Sequence, residues 1–304
     1  MKKNFENWIS PSIWKQFQKE NTTAHRIFSS EQGWIERWNQ DLLISYYKTE
    51  FLKQIIPQIK PWTDHLAFSY QRLWSRRLTQ QATEKNLSEL IQGAPPSNFV
   101  TIVKERGVSF QIDFHAGYSL GLFLDQRNNR NFVRQQQPKK LLNCFAYTGS
   151  FSVMAALGNG ETLSIDLSPK SIQRAKENFR LNQLDPSHHR FWGEDVRDSL
   201  LKLQRRKETF DMIILDPPTF SRGKKGKTFQ VQHDLKSLLQ TALPLLHSPG
   251  KILISTNCSR LTRKNLIQLC HTTLAARTFQ LYHEPLLPDI PEAMAAQTVW
   301  LLLQ

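Results

Sequence analysis

Hydrophobic residues follow two different patterns along this chain of 304 residues. In the first third they come in short runs separated by turn residues, which predicts β-strands. The runs are HRIFSS, GWIERWN, DLLISYY, LAFSYQRLW and FVTIVKERGVSFQIDF, the last of which predicts a hairpin that turns at residues 105–107. One helix is expected over residues 50–60, and it should stop at Pro61 because proline has no N–H to donate.

The flanking segments of this region are simpler. Residues 1–22 form a lead-in whose apolar residues recur at near-helical spacing, so we expect them to pack on the domain that follows. These residues are Trp8, Ile13, Trp14 and Phe17. Residues 23–115 are predicted to form a small α+β domain, and residues 116–140 a second hairpin and a linker. The cations of residues 127–140 are expected mostly on a solvated helix that leads into the next domain.

From residue 141 onward the pattern changes to strands that alternate with helices. Strands are predicted at 141–145, 162–165, 190–192, 212–215, 252–255 and 298–303, with helices at 150–157, 169–182, around Leu200, at 231–246 and at 265–275. This alternation is typical of a doubly wound α/β fold. Residues 141–304 are therefore predicted to be a Rossmann-like domain that binds its ligand beyond the carboxyl ends of the strands.

The net charge of the chain favours some classes of binding partner over others. Lys and Arg number 40 against 26 acidic residues, which gives a net charge of +14. Such an excess favours nucleic acid, the ribosome or an anionic membrane surface, although a basic surface without such a partner is the alternative. The chain lacks a signal peptide pattern and any apolar run near the roughly 20 residues that span a bilayer. Its three cysteines cannot all pair, which favours a reduced, cytoplasmic protein. No histidines have metal-ligand spacing, so no metal is expected.

Acidic residues follow three of the predicted strands, which points to a nucleoside-like cofactor. Asp166 lies 17 residues after Gly149, close to the spacing at which an acid binds ribose hydroxyls. The first turn, NCFAYTG, has one glycine and two aromatic residues, whereas a pyrophosphate needs several close backbone approaches. A ligand with ribose and adenine but no phosphates, such as S-adenosylmethionine, fits better. Asp195 is expected near adenine and Asp216 at the crevice, and a helix N-cap is the alternative for any one of these acids.

Two further motifs suggest chemistry on a flat heterocycle. In DPPTF, the two prolines keep the chain from entering a helix, so Asp216 and Phe220 should stay at the crevice. Cys258 follows the predicted strand 252–255, has polar neighbours and precedes Arg260. Nearby positive charge favours the thiolate, which is a nucleophile. Attack of that thiolate on carbon 6 of a pyrimidine would make carbon 5 able to accept a methyl group. Cys144 and Cys270 are expected to be buried as small hydrophobic residues.

Together the motifs LDQRNNR, NCFAYTGSFS, DLSP, LDPPTFS and STNCS resemble the bacterial large-subunit ribosomal RNA methyltransferase family. The resemblance covers roughly residues 23–304 and implies S-adenosylmethionine as cofactor and ribosomal RNA as partner. Its cytosine-carbon-5 members have a cysteine that matches Cys258. It also implies that Arg127 reaches the cofactor carboxylate and that residues 23–115 help to grip RNA. Family members often begin with a PUA domain, for which the chain before residue 23 is too short.

The expected roles follow from these two sources together. Asp166 would bind ribose, Asp195 adenine, and the loop with Asn143, Phe145, Tyr147 and Gly149 the methionine part. Asp216 would bridge cofactor and base, Cys258 would be the nucleophile, and Phe220 or Tyr118 could stack on an extracted base.

The cations expected along the RNA are Arg222, Lys224, Lys225, Lys227, Arg260, Arg263 and Lys264. The most favoured activity is formation of 5-methylcytosine. Three alternatives stay open. FQVQHDL resembles the guanine-N7 group, in which no protein nucleophile is needed. A non-catalytic RNA-binding protein and a small-molecule methyltransferase are the others.

Overall fold

The computed structural model describes residues 7–78, 87–117, 119–222, 228–274 and 278–304. The chain divides into two compact units. The first contains the chain up to Asp125 together with Leu286–Met294, and the second contains Gln126–Pro285 and Ala295–Gln304. The second unit thus begins within the segment 116–140 that the sequence assigns to a hairpin and linker.

The first unit is an α+β structure. Among the described residues, five strands form a sheet in the order β1-β2-β3-β4-β5, in which β3 and β4 pair in parallel and the other neighbours pair in antiparallel fashion. Strands β6 and β7 form a separate hairpin. The elements are α1 (Pro11–Lys19), β1 (Ala24–Ser30), β2 (Gly33–Trp38), β3 (Asp41–Tyr46), α2 (Thr49–His65), β4 (Arg72–Arg77), β5 (Glu89–Gln92), β6 (Val100–Glu105) and β7 (Val108–Asp113).

Two local predictions in this unit are confirmed, and one predicted strand begins later than expected. The hairpin is confirmed, because β6 pairs with β7 and the turn residues Arg106 and Gly107 have φ of 48° and 82°. The lead-in is also confirmed as a packing element, since Trp14 and Phe17 are buried in the aromatic core of this unit. The run LAFSYQRLW forms a strand only from Arg72 onward.

The predicted end of the helix at Pro61 is wrong. Helix α2 continues through Pro57 and Pro61 to His65. Pro57 is exposed and Pro61 is half-buried, whereas Ile59 and Trp62 are buried in the core. The missing N–H groups of the two prolines therefore cost less than the buried face of the helix contributes.

The second unit is built on a seven-stranded mixed sheet. Its strand order is β10-β9-β8-β11-β14-β16-β15, in which the first five strands are parallel and β16 runs antiparallel to both neighbours. The elements are α3 (Arg127–Gln136), β8 (Lys140–Cys144), α4 (Ser150–Ala156), β9 (Glu161–Ile165), α5 (Pro169–Leu181), β10 (Arg190–Trp192), α6 (Val196–Arg205), β11 (Phe210–Leu215), β12 (Phe220–Arg222), β13 (Thr228–Gln230), α7 (Val231–Ala242), β14 (Leu246–Thr256), α8 (Arg263–Thr273), β15 (Phe279–Tyr282) and β16 (Gln297–Leu303). The predicted doubly wound fold is confirmed.

The second hairpin predicted within residues 115–130 is not formed. The described residues from 115 to 123 contain no strand, and helix α3 begins at Arg127. Leu120, Leu122 and Leu124 are buried, so their alternation reflects burial of an irregular segment rather than strand pairing. The expectation of a solvated helix is wrong for the first turns of α3, where Arg127 and Arg130 are each 1% exposed.

The hydrophobic core of the second unit holds the strands of the sheet against its helices. Residues 212–215 of β11 are fully buried, as expected for a central parallel strand. They belong to a cluster that includes Leu200 of α6 and Leu235 of α7. Among the described helices, none is long and apolar enough to cross a membrane.

Candidate active site

The carboxyl ends of four parallel strands lie on one line across the sheet. Cys144 is the register partner of both Ile165 and Leu215, and Ile165 is also the partner of Trp192. Asp166 and Asp216 each follow this line by one residue. Because strands in a sheet are about 4.8 Å apart, the two carboxylates open on the same edge, separated by the width of β8.

The loop after β8 leaves this line in an unusual backbone conformation. Phe145, Tyr147 and Gly149 have φ of 57°, 48° and 71°. Left-handed conformations are costly for residues with side chains and persist where the surroundings impose them. Here the N–H of Ala146 donates to the carbonyl of Ile165 at 2.9 Å. The loop is therefore tied to the end of β9.

Helix α5 supports the same loop from its other side. The side-chain amide of buried Asn178 donates to the carbonyl of Thr148 at 2.9 Å. A Cβ atom on Gly149 would lie 2.8 Å from the Cβ of Ala175. Gly149 is thus required twice, for its positive φ and for its close approach to α5.

Asp166 connects the loop to the start of α5. Its Oδ2 accepts a hydrogen bond from the N–H of Tyr147 at 2.8 Å, and its Oδ1 accepts one from the N–H of Ser168 at 2.9 Å. Burial raises the pKa of Asp166, and these two N–H groups oppose that rise. The residue is only half-buried. Each oxygen keeps a further lone pair that can accept a ligand hydroxyl.

Asn143 lies beneath the loop rather than in the crevice. It is 1% exposed, and its amide nitrogen donates to the Oγ of Ser152 at 3.0 Å. The Oγ of Ser152 is in turn 2.8 Å from the Oγ of Ser164. This buried network joins β8, α4 and β9, so the Asn143 side chain supports the loop from beneath and does not line the crevice.

Asp195 is the N-cap of helix α6. Its side chain accepts from the N–H groups of Arg197 and Asp198 and also contacts the guanidinium of Arg197. Capping was the alternative expectation for this acid. Gly193, two residues earlier, has open space within 4 Å of where a Cβ would be. The carboxylate therefore caps a helix beside an open region at the end of β10.

The DPPTF segment continues into a short hairpin that the sequence pattern does not reveal. Strands β12 and β13 pair in antiparallel fashion, with the ring of Phe229 buried 5.6 Å from the ring of Phe145. Phe220 is 48% exposed. The guanidinium of Arg197 donates to the carbonyl of Thr228 at 3.0 Å, so the hairpin is joined to the capped end of α6.

Cys258 lies just beyond β14, the strand that pairs with β11 and β16. Its N–H donates to the Oγ1 of Thr256 at 3.1 Å, and its Sγ accepts a hydrogen bond from the Nε2 of Gln232 at 3.2 Å. The residue is 4% exposed and belongs to the same hydrophobic core cluster as Cys144 and Cys270. Its sulfur is thus in contact with an exposed polar side chain rather than with hydrocarbon alone.

The other two cysteines have a different environment. Cys144 and Cys270 are completely buried, and burial raises the pKa of Cys270 to about 12 and that of Cys144 further still. Both thiols stay protonated at neutral pH, in agreement with the expectation that they serve as core residues.

Helix α3 begins at the same edge of the sheet. The side-chain nitrogen of Gln126 donates to the Oγ of Ser255, at the end of β14, at 2.7 Å. Asn129 donates to the Oε1 of Gln126 and accepts from the indole of Trp300. These buried contacts explain why the DQRNNR motif carries amides among its cations. They place the backbone of Arg127 close to the end of β14.

Exposed cations follow the strands on the same side. Arg222, Arg260 and Lys264 are exposed, and Arg263 is half-buried at the start of α8. The predicted contributions of Lys224, Lys225, Lys227 and Tyr118 lie outside the described residues. No group of three possible metal ligands occurs within the ranges that the structure describes.

Comparison with known proteins gives this architecture a family. Residues 51–300 match the model of the S-adenosylmethionine-dependent methyltransferases. The chain belongs to this family. Among similar proteins, YwbD of Bacillus subtilis is 32% identical over 256 residues, which is 81% of this chain and 63% of that protein. Its name assigns it provisionally to the ribosomal RNA large subunit methyltransferases. Ribosomal RNA large subunit methyltransferase I of Aeromonas salmonicida is 36% identical over 60% of this chain and 46% of its own length.

The chain thus spans about half to three-fifths of the length of these curated relatives. A solved methyltransferase in complex with S-adenosylhomocysteine has a TM-score of 0.81 and 25% identity, covering 96% of this chain and 79% of the other. A methyltransferase from Agrobacterium tumefaciens has the same fold, with a TM-score of 0.71 and 20% identity over 93% of this chain and 90% of its own.

The residues at the strand ends fit the cofactor of the methyltransferase family. Asp166 has carboxylate oxygens that can accept hydrogen bonds from the two hydroxyls of a ribose. The loop after β8 has one glycine, which suits a ligand without phosphates, because a pyrophosphate needs several close backbone approaches. The family to which the chain belongs is named for its dependence on S-adenosylmethionine. The sequence does not reveal the supporting roles of Gln126, Asn129, Asn178, Arg197 and Gln232, because the partners of these polar side chains are known only from the fold.

Proposed function

We propose that this methyltransferase acts on large-subunit ribosomal RNA and forms 5-methylcytosine with Cys258 as the nucleophile. The observation that carries the proposal is the position of Cys258. Its sulfur follows the end of β14, next to the strand that leads to Asp216, and a polar group contacts it from the surface side. A cysteine with only a packing role would resemble Cys144 and Cys270, which are buried away from such contacts.

The proposed reaction begins at carbon 6 of cytosine. The Cys258 thiolate forms a bond to that carbon, which makes carbon 5 electron-rich. S-Adenosylmethionine supplies an electrophilic methyl group on its sulfonium. Carbon 5 would take the methyl as the bond between that methyl and the sulfonium breaks, which would leave S-adenosylhomocysteine. A base would then remove the proton from carbon 5, and the bond between the Cys258 sulfur and carbon 6 would break to release the thiolate. Asp216 is assigned to hold the base, and the proton acceptor is not assigned to any residue.

The cofactor residues are assigned by the same reasoning. Asp166 accepts hydrogen bonds from the ribose hydroxyls and Asp195 from the adenine amine. The loop of Phe145, Tyr147 and Gly149 lines the methionine part. Arg127, the first residue of α3, is proposed to pair with the methionine carboxylate.

Three features support RNA as the acceptor. The relatives named above are ribosomal RNA methyltransferases by name. Exposed Arg222, Arg260 and Lys264 follow the strands that carry the proposed chemistry. Phe220 exposes about half of its surface, and the guanidinium of Arg222 lies 5.8 Å from its ring. Such a ring can replace the stacking that an extracted base loses. Ribosomal RNA as substrate implies a cytoplasmic enzyme.

Methylation of guanine N7 is the second candidate, favoured by the resemblance of FQVQHDL to that group. The two reactions make different demands on Cys258, since a ring nitrogen attacks the methyl directly. The test is methylation of ribosomal RNA from cells that lack the protein, followed by mass spectrometry of the nucleosides.

With wild-type enzyme we expect 5-methylcytidine, and with Cys258→Ala a loss of turnover by several orders of magnitude. Cys270→Ala is the matched control and should retain activity. Near-normal turnover of Cys258→Ala, or recovery of 7-methylguanosine, would remove the cytosine mechanism.

A further inference from the structure

Gln232 is an exposed residue in the first turn of α7 whose side chain reaches the proposed nucleophile. The distance from its Nε2 to the Sγ of Cys258 is 3.2 Å. The Cys258 backbone is fixed independently, through the bond from its N–H to Thr256. One cysteine thus has its backbone held by β14 and its sulfur contacted from a different helix.

The position of Gln232 is set by its neighbours. The buried side chains of Val231 and Leu235 hold the start of α7 on the core. The N–H of Val231 donates to the carbonyl of Thr219, in the DPPTF segment, at 3.2 Å, and the N–H of Gln230 donates to Asp234 at 2.7 Å. The turn that carries Gln232 is therefore fixed to the same segment as Asp216.

A carboxamide N–H can act on this sulfur only as a donor. A neutral thiol is a weak acceptor, whereas a sulfur that carries negative charge accepts a much stronger, charge-assisted hydrogen bond. The donor therefore stabilises Cys258 in the form that attacks, and again in the form released when the bond to carbon 6 breaks. It also restricts the direction in which the sulfur points.

We propose that Gln232 is a positioning residue that holds the Cys258 sulfur and stabilises its anionic form through the Nε2 hydrogen bond. This inference rests on the proposed function, because it assigns Gln232 a task in the cysteine mechanism. It also gives the stretch FQVQHDL a role that does not require the guanine-N7 reaction.

The test measures alkylation of Cys258 by iodoacetamide at neutral pH in the full-length protein, followed by peptide mass spectrometry. Gln232→Glu keeps the shape of the side chain but replaces the donor by an acceptor, and Gln232→Lys replaces the amide by another donor. Gln240→Glu makes the same exchange on an exposed position about two turns further along α7. The buried Cys144 and Cys270 report in each variant whether the fold is intact.

We expect Gln232→Glu to slow alkylation of Cys258 by about tenfold or more, which is the usual value of a hydrogen bond to a charged group. Gln232→Lys should be alkylated at least as fast as the wild type, because its positive charge also favours the thiolate, and Gln240→Glu should stay within about threefold of the wild type. In RNA methylation, kcat of Gln232→Glu should fall while KM for RNA stays unchanged.

Equal rates in the wild type and Gln232→Glu would overturn the inference, and so would an equal decrease in the Glu and Lys variants, because that result indicates a purely structural role. Failure of the proposed function is detected separately, by turnover of Cys258→Ala, which has no sulfur for Gln232 to contact.

Discussion

At the scale of single residues, Asp166 combines support of the loop with a free capacity to accept ligand hydrogen bonds. Its pKa is raised by burial, so it becomes protonated at a higher pH than an exposed aspartate, whose pKa is about 3.9. Protonation removes acceptor strength. We therefore expect calorimetry to show that affinity for S-adenosylmethionine falls on acidification, starting above the range in which exposed aspartates titrate.

Asp166→Asn should bind the cofactor about tenfold to a hundredfold more weakly at neutral pH, because a charge-assisted acceptor is lost. The acid-dependent loss should disappear in this variant. An unchanged affinity together with an unchanged pH dependence would show that Asp166 does not contact the cofactor. Circular dichroism at each pH separates binding from unfolding.

Gly149 makes the second prediction at this scale. Gly149→Ala forces a residue with a Cβ into φ of 71° and brings that atom 2.8 Å from the Cβ of Ala175. We expect the free energy of unfolding, measured by urea denaturation, to fall by about 1–3 kcal/mol. The affinity for the cofactor, measured by calorimetry, should fall as well. Gly193→Ala, which meets open space, should be nearly neutral in stability. Equal stability of the two variants would contradict this account.

Several site residues could be predicted from sequence because their chemistry is visible without partners. Carboxylates at strand ends, one glycine in a turn and a cysteine in a polar segment are of this kind. The side chain of Asn143 could not be placed, because a residue in a strand alternates between two faces and the sequence does not say which faces α4. The burial of Arg127 could not be foreseen either, since cations are usually exposed.

At the scale of elements, Asp195 caps helix α6, and this structural role can be tested apart from its proposed role in binding adenine. Its carboxylate caps the helix by accepting two N–H bonds, and we assign the same group to adenine. Asp195→Ser keeps a good N-cap, whereas Asp195→Ala removes it at a cost of about 1 kcal/mol. We expect both variants to bind S-adenosylmethionine more weakly, but only the alanine variant to be less stable in thermal denaturation. Full cofactor affinity in Asp195→Ser would limit this residue to capping.

Elements were predictable where hydrophobic periodicity was strong. The five parallel strands and their helices lie close to the expected positions. The errors came where tertiary packing changes the meaning of a local signal, as when α2 continues through Pro61 or when the alternating leucines before α3 mimic a strand. Strands β12 and β13 have three residues each and β15 has four, so their periodicity does not reveal them. Strand β10 is as short, but its place in the alternation of strands and helices made it predictable.

At the scale of the whole molecule, the charge predicts how RNA binding depends on salt. Each phosphate contact contributes about 0.7–0.9 to the slope of log K against log salt concentration. We expect the double variant Arg260→Gln/Lys264→Gln to reduce that slope by about 1.4–1.8, measured by filter binding across a salt series. Arg205→Gln/Lys207→Gln removes the same charge from exposed positions before β11 and should leave the slope unchanged. Equal effects of the two pairs would mean that the net charge, rather than the strand-end loops, attracts RNA.

The central claim is that Cys258 bonds covalently to a cytosine, and trapping of that bond tests it most directly. RNA transcribed with 5-fluorocytidine has fluorine where the enzyme must remove a proton, so the bond between sulfur and carbon 6 cannot be released after methyl transfer. With S-adenosylmethionine we expect a stable protein–RNA adduct that peptide mapping assigns to Cys258, and none with Cys258→Ser. Methylation of ordinary RNA by the same preparation without any adduct on the fluorinated RNA would contradict the account.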